Sequence, residues 1–284
     1  MGPQLQAFIA IVECKTVHAA AHAIHMTQTA VTQRLRALEI RLGTTLFVRT
    51  RRGMQLTQEG EALLRYCHAV RDLEGEALAK IAGAGEAAMI QVTITGPSSI
   101  MRSRIIPHYL KVMQRFPNLL MQYDIDDTHQ CLANLRNGQA QFAVVQQESV
   151  VPEMQSKLLA PERYVLVCCK AWQKRALKDI IREERIVDFN PSDQMTFNYL
   201  KQHKLLNLAR HDRHFANRTD ILAALLVAGR GYSLLTTEFV QPYVERDELI
   251  VLNNGKEYDN QLALAWYERP EPPKYFQALI AAVS

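Results

Sequence analysis

The amino-acid sequence predicts an α+β chain in parts: a small helical portion with a basic β-hairpin, a long helix, and a larger α/β portion. Three observations predict it. Apolar residues recur at helical spacing through the first 42 positions. A short alternating stretch interrupted by Arg51, Arg52 and Gly53 follows, and beyond residue 90 strand-like runs alternate with helical ones. With 284 residues, 48% of them apolar, the chain has room for about two domains at ~150 residues each, which excludes disordered and fibrous classes.

Leu5, Phe8, Ile9 and Val12 give a first amphipathic helix ending near Lys15. Thr16 caps a short second helix with a small face of Ala19, Ala20, Ala23 and Ile24, and His25 and Met26 make a tight break. Thr27 then caps a longer helix to Leu42, with Ala30, Val31, Leu35, Leu38 and Leu42 inward and Gln28, Thr29, Thr32, Gln33 and Arg36 outward. Gly43 stops it as a glycine beyond the C-cap. Residues 46–56 read as a basic hairpin, a wing. Thr57 and Gly60 open a helix to about Ala82, with Leu63, Leu64, Cys67, Val70, Leu73 and Leu78 as its apolar stripe. A helix that long leaving a small domain packs against a copy of itself.

Gly83 and Gly85 mark a flexible joint, so the domain boundary falls there. Beyond it the expected order is a strand at QVTIT, a helix from Ile100 to Phe116, strand LLMQYDI, a helix ending at Asn137 and Gly138, and strands FAVVQ and RYVLVCC. A helix from Trp172 to Glu184, strand RIVDF, helix TDILAALLVAG, strands YSLLT and QLALAWY, and a terminal helix after Pro272 and Pro273 complete it. That alternation implies mostly parallel sheets.

The net charge of +4 is unevenly placed. Residues 1–66 hold eight basic side chains (Lys15, Arg34, Arg36, Arg41, Arg49, Arg51, Arg52, Arg65) against four acidic (Glu13, Glu39, Glu59, Glu61), and the remainder holds 25 of each. A domain facing a polyanion beside a neutral domain has this distribution. The five cysteines are widely spaced with no CxxC, which suggests neither a disulfide framework nor a zinc ribbon. His18, His22 and His25 lie at helical spacing without a third-ligand motif and read as surface histidines; Met89, Met101, Met113 and Met121 read as core packing. No metal or cofactor is expected. No apolar run approaches the ~18 residues of a membrane span, and the start MGPQLQAFIAIVECK has no basic leader, so a cytoplasmic protein without a membrane partner is expected.

Leu5, Phe8, Val12, Ala20, Ala21, Gln28, Ala30, Val31, Leu38, Glu39, Leu42, Gly43, Leu46, Phe47, Arg49, Leu56, Thr57 and Gly60 stand at fixed spacings that resemble the LysR-type transcriptional regulators. The resemblance implies a winged helix-turn-helix DNA-binding domain over 1–57, a dimerising linker helix over 58–85, and over 86–284 a two-lobed α/β effector domain of periplasmic-binding-protein type. Lobe I would take about 90–160 and 268–284, and lobe II about 163–265. It departs from the family at Thr16 to His18 and at Thr27 to Thr32, where the hydroxyl groups persist with altered reach. TQTAVTQRL, FAVVQQE, ERYVLVCCKAW, VDFNPSDQMTF and LAWYERPEP are similar to the branch responsive to lysine and arginine, which would make a basic amino acid the effector.

A helix in the major groove reads base edges with amides, hydroxyls and guanidinium groups. Gln28, Thr29, Thr32 and Gln33 are expected at the bases, and Arg34, Arg36, Arg49, Arg51 and Arg52 at phosphates of double-stranded promoter DNA. A small ligand would lie beyond strand ends, where helices begin. Ser98, Ser99, Asp126, Gln146, Thr196, Asn217, Thr219 and Thr236 occupy such junctions; Ser98 and Thr219 read equally well as helix caps. Asp124, Asp126 and Asp127 are candidates to receive a cationic ligand. The expected assembly is a homodimer or homotetramer. Two other readings remain open: an enzyme or transport receptor built on the α/β part, the enzyme counted against by the absence of a nucleophile elbow, phosphate loop or HExxH and the receptor by the expected absence of a signal peptide, and a nucleoid protein that needs no effector.

Overall fold

The computed structural model of the chain describes residues 2–51, 53–81, 89–126, 130–269 and 271–284. Gly83, Gly85, Arg52 and Asp127 lie outside the described residues, as does the side chain of Leu78. Two compact units result. The first holds the N-terminal elements through Thr95, Met113–Asp124 and the segment ending at Ala143; the second holds Gly96–Val112, Ile125 and Asp126, and Val144–Ser284.

The first unit begins with α1 (Pro3–Cys14), α2 (Val17–Ala23) and α3 (Gln28–Leu42). Each boundary has a local cause. Lys15 takes a left-handed conformation after α1 and His25 after α2. Thr16 Oγ1 accepts the Ala19 N–H at 3.1 Å, Thr27 Oγ1 accepts the Ala30 N–H at 3.2 Å, and Gly43 ends α3 at φ 66°. Phe8, Ile11, Ala20, Ala21, Val31, Leu35 and Leu38 form one core with Leu46, Phe47 and Leu64. Leu42, expected inward, is 45% exposed: the buried row of α3 ends at Leu38, one turn earlier.

The wing is β1 (Phe47–Thr50) paired antiparallel with β2 (Gly53–Leu56), followed by α4 (Gln58–Ile81). It is tied down at its base. The Met54 N–H donates to Lys15 O at 2.8 Å, the Leu46 N–H to Glu39 Oε1 at 2.8 Å, and the Thr57 N–H to Leu46 O at 3.0 Å. Thr57 Oγ1 accepts the Gly60 N–H at 3.0 Å and so caps the start of α4.

Beyond it come β3 (Ile90–Gly96), α5 (Ser98–Ile100), a π-helical turn (Met101–Ile105), α6 (Ile106–Arg115), β4 (Leu119–Ile125), α7 (Cys131–Arg136) and β5 (Phe142–Gln146). In the first unit β3 pairs parallel with the start of β5, Ile94 opposite Phe142, and Arg65 of α4 donates to the Arg136 carbonyl at the end of α7 at 2.9 Å.

The second unit continues with β6 (Met154–Leu158), β7 (Glu162–Cys169), α8 (Leu177–Glu183), β8 (Ile186–Asp188), α9 (Met195–Gln202), β9 (Arg213–Phe215), α10 (Thr219–Val227) and β10 (Tyr232–Thr236). It ends with α11 (Thr237–Glu245), β11 (Leu249–Val251), β12 (Glu257–Asn260), β13 (Leu262–Tyr267) and α12 (Lys274–Ala282). Strands β8, β9 and β10 run parallel, but β7 pairs antiparallel with β10, β11 and β12, and β13 antiparallel with β6. The sheets are therefore mixed rather than mostly parallel. Strands β10 and β11 flank β7 and both run against it, so α11 crosses over β7 between two strands that are parallel to each other. The expected helix from Trp172 also starts late, because Arg175 turns back to bond Glu184 at 2.6 Å and Glu183 at 2.7 Å with its guanidinium over Trp172.

Candidate functional site

Burial of Val31, Leu35 and Leu38 leaves the opposite side of α3 to solvent. Gln28, Thr29, Gln33 and Arg36 are exposed there, and Thr32 and Arg34 part-exposed. On the wing Arg49 and Arg51 are exposed. One contact was not foreseen from sequence. Gln28 Nε2 lies 2.8 Å from His18 Nδ1, so a histidine read as plain surface fixes the carboxamide at the start of α3. His18 and Gln28 are ten positions apart, and only the packing of α2 on α3 brings them together.

In the second unit the candidate ligand residues fall into two groups. Ser98 and Ser99 open α5 and are part-exposed, Asp126 donates its N–H to Gly96 O at 3.0 Å, and Gln146 ends β5. The other group follows the parallel strands: Thr196 in the first turn of α9, Asn217 and Thr219 before and at the start of α10, and Thr236 at the end of β10. Asn217 is exposed and Thr219 part-exposed, whereas Thr236 is buried. The Thr196 hydroxyl is buried and donates to Asp188 Oδ1 at 2.7 Å, so it braces that carboxylate from within. The residue at the N-cap of α10 is Arg218, and it makes no side-chain cap bond.

Asp188 also accepts from Arg213 Nη1 at 2.8 Å. Burial pushes its carboxyl above the usual carboxylate range, opposed by the bonds from Thr196 and Arg213. Arg213 donates as well to Asp193 O and Pro191 O and is flanked by the Phe197 and Phe215 rings at 4.9 and 5.0 Å. This one side chain therefore holds the 189–195 loop against the ends of β8 and β9. Asp193 Oδ1 accepts the Met195 N–H at 2.9 Å and starts α9.

Of the acids proposed for a cation, Asp124 is bonded to Asn134 at 2.8 Å. The acid that sequence reasoning missed is Glu162, the first residue of β7 and 2% exposed. Its carboxylate receives the Ser99 hydroxyl, the Tyr164 hydroxyl at 3.1 Å and Asn260 Nδ2 at 3.4 Å. Burial pushes its carboxyl up, while these bonds and the charge of Arg104 oppose the shift. Arg104 itself donates to the carbonyls of Ala160 and Pro161 and pairs with Glu238 of α11 at 3.1 Å. An acidic residue heading a strand that turns apolar from Val165 onward, ERYVLVCC, is the one signal that could have revealed Glu162.

A helix-turn-helix with a basic wing, followed by a mixed α/β part with strand-end polar groups, defines the class. The description "Bacterial regulatory helix-turn-helix protein, lysR family" matches residues 3–61, and "LysR substrate binding domain" matches 88–284. The chain belongs to the LysR family. It is 32% identical over 178 residues to the HTH-type transcriptional regulator LysG of Mycobacterium bovis, covering 63% of this chain and 57% of that protein. It is 26% identical over 239 residues to the HTH-type transcriptional regulator ArgP of Aeromonas salmonicida, covering 81% and 78%. Its fold is similar to the crystal structure of ArgP from Mycobacterium tuberculosis, with TM-score 0.80 and 25% identity over 100% of this chain and 97% of that one. It is also similar in fold to full-length LysG of Corynebacterium glutamicum with bound effector Arg, with TM-score 0.77 and 21% identity over 100% and 96%.

Proposed function

We propose that the protein is a cytoplasmic, sequence-specific DNA-binding transcription regulator, without catalytic activity of its own, whose affinity for promoter DNA answers to a basic amino acid. The observation that carries the reading is the capped, half-buried α3, which keeps Gln28, Thr29, Thr32 and Gln33 on its free face beside the exposed wing arginines. Those four would read base edges, and Arg34, Arg36, Arg49, Arg51 and Arg52 would meet phosphates. In this reading residues 1–57 bind DNA, 58–85 join copies of the chain into a dimer or tetramer, and 86–284 hold the effector. Ser98, Ser99, Asp126, Gln146, Asn217, Thr219 and Thr236 would meet the ligand, with Thr196 bracing Asp188. The names LysG and ArgP among the relatives, and the arginine in the Corynebacterium LysG structure, support lysine or arginine as the effector.

In the test, fluorescence anisotropy compares a promoter fragment with unrelated duplex. Gln28→Ala is expected to weaken the specific complex by about tenfold or more, since a good bidentate base contact contributes ~1–3 kcal/mol, and to leave nonspecific binding unchanged. Equal losses on both duplexes refute base reading by α3.

A further inference from the structure

We propose that Glu162 is the residue that selects a cationic effector, its carboxylate receiving a positively charged nitrogen of the ligand beside Ser99. The proposal rests on the small-molecule reading above and adds the residue that sets the charge of the ligand.

Three features carry it. Glu162 is a carboxylate enclosed at the head of β7 whose bonded partners, Ser99, Tyr164 and Asn260, are neutral donors. Among the described residues no basic side chain lies within ion-pair distance of it. Arg104, the cation that acts on it from a distance, directs its Nη1 and Nη2 to two carbonyls and to Glu238. Buried charges are ordinarily paired. A carboxylate with three neutral hydrogen-bond donors and no ion-pair partner is a site of unmatched negative charge that an incoming cation would match.

The second feature is Ser99. Its side chain bonds both Glu162 and Tyr164; when its hydroxyl donates to Glu162, an oxygen lone pair remains as an acceptor, so Ser99 and Glu162 together present acceptors to a donor-rich cation such as an ammonium or guanidinium. This orientation suits the positive end of an amino acid and places the ligand carboxylate elsewhere. The third is position. Ser99 lies in α5, Glu162 and Tyr164 open β7, and Asn260 ends β12, so three separate segments of the second unit meet at this carboxylate.

The full-length protein is titrated calorimetrically with arginine, with citrulline, which lacks the side-chain charge, and with 5-guanidinopentanoate, which lacks the α-ammonium. Glu162→Gln keeps the shape and removes the charge. It is expected to weaken arginine binding by about 100-fold, as loss of one partner of an enclosed charge pair does, and to leave unchanged the affinity for whichever analogue lacks the nitrogen that Glu162 receives. Arginine binding by Glu162→Gln within about threefold of wild type overturns the proposal. Tyr164→Phe removes a hydrogen bond to the carboxylate and keeps its charge, so its arginine affinity is expected to match wild type or exceed it. A fall of about 100-fold in Tyr164→Phe marks a purely structural network and overturns the proposal too, even where Glu162→Gln fails to fold. Failure of the wild-type protein to bind either arginine or lysine overturns the basic-effector reading itself, an outcome distinct from the loss of charge selection in a protein that binds.

Discussion

Gly60→Ala tests how firmly the wing is seated. A Cβ on Gly60 would stand 2.2 Å from the Leu46 carbonyl oxygen and 2.9 Å from Leu56 Cδ2, where ordinary contact begins near 3.4 Å. The obstructing atom is backbone, so the Leu46 strand or the first turn of α4 must move by about 1 Å, and overpacking of that kind costs about 1–3 kcal/mol. The same Leu46 carbonyl accepts the Thr57 N–H, and Leu46 leads directly into β1, so the displacement passes to the exposed Arg49 and Arg51. Gly43→Ala is the comparison. It has open space around its Cβ and only the left-handed φ of 66° against it, a strain of about 1–2 kcal/mol. Differential scanning calorimetry of the full-length protein is expected to show the DNA-binding domain melting several degrees lower in Gly60→Ala, at about 4–8 °C per kcal/mol for a domain this small. Anisotropy is expected to show weaker binding to any duplex in Gly60→Ala and near wild-type binding in Gly43→Ala. A Gly60→Ala protein that melts with wild type and binds DNA with wild-type affinity refutes the reasoning.

Two further outcomes follow from the same structure. Arg49→Ala and Arg51→Ala are each expected to lower the slope of log affinity against log salt by about 0.9, the counterion release of one phosphate contact, and to weaken specific and unrelated duplexes alike; an unchanged slope removes the wing from the interface. Burial pushes the Cys168 thiol up to about 12 and raises that of Cys169 as well, so neither is expected to react with Ellman's reagent in the native protein near pH 8, whereas part-exposed Cys14 reacts first. Rapid native modification of Cys168, located by mass spectrometry, contradicts that packing.

The N-terminal elements are legible in the sequence because their causes are local. Thr16, Thr27 and Thr57 cap helices within three residues of themselves, and Gly43 stops α3 in place. What stays hidden depends on contacts between distant residues. The direction of β7 is fixed by β10, β11 and β12, which lie 60 or more positions further along, so alternation alone misleads toward parallel sheets. Thr196 stands at a helix start, yet its hydroxyl is taken by Asp188, and Glu162 acquires its meaning from Ser99 and Asn260, 63 positions before it and 98 after. The candidate residues at secondary-structure junctions are visible in sequence; the buried charges beside them are not.

Selection of bound duplexes from a random-sequence DNA pool, followed by sequencing, puts the helix-reading claim to its most direct trial. The account predicts that the wild-type protein enriches a defined motif and that Gln28→Ala and Gln33→Ala each relax particular positions of it. Enrichment of the same motif by wild type and both variants, or of no motif by any of them, contradicts it.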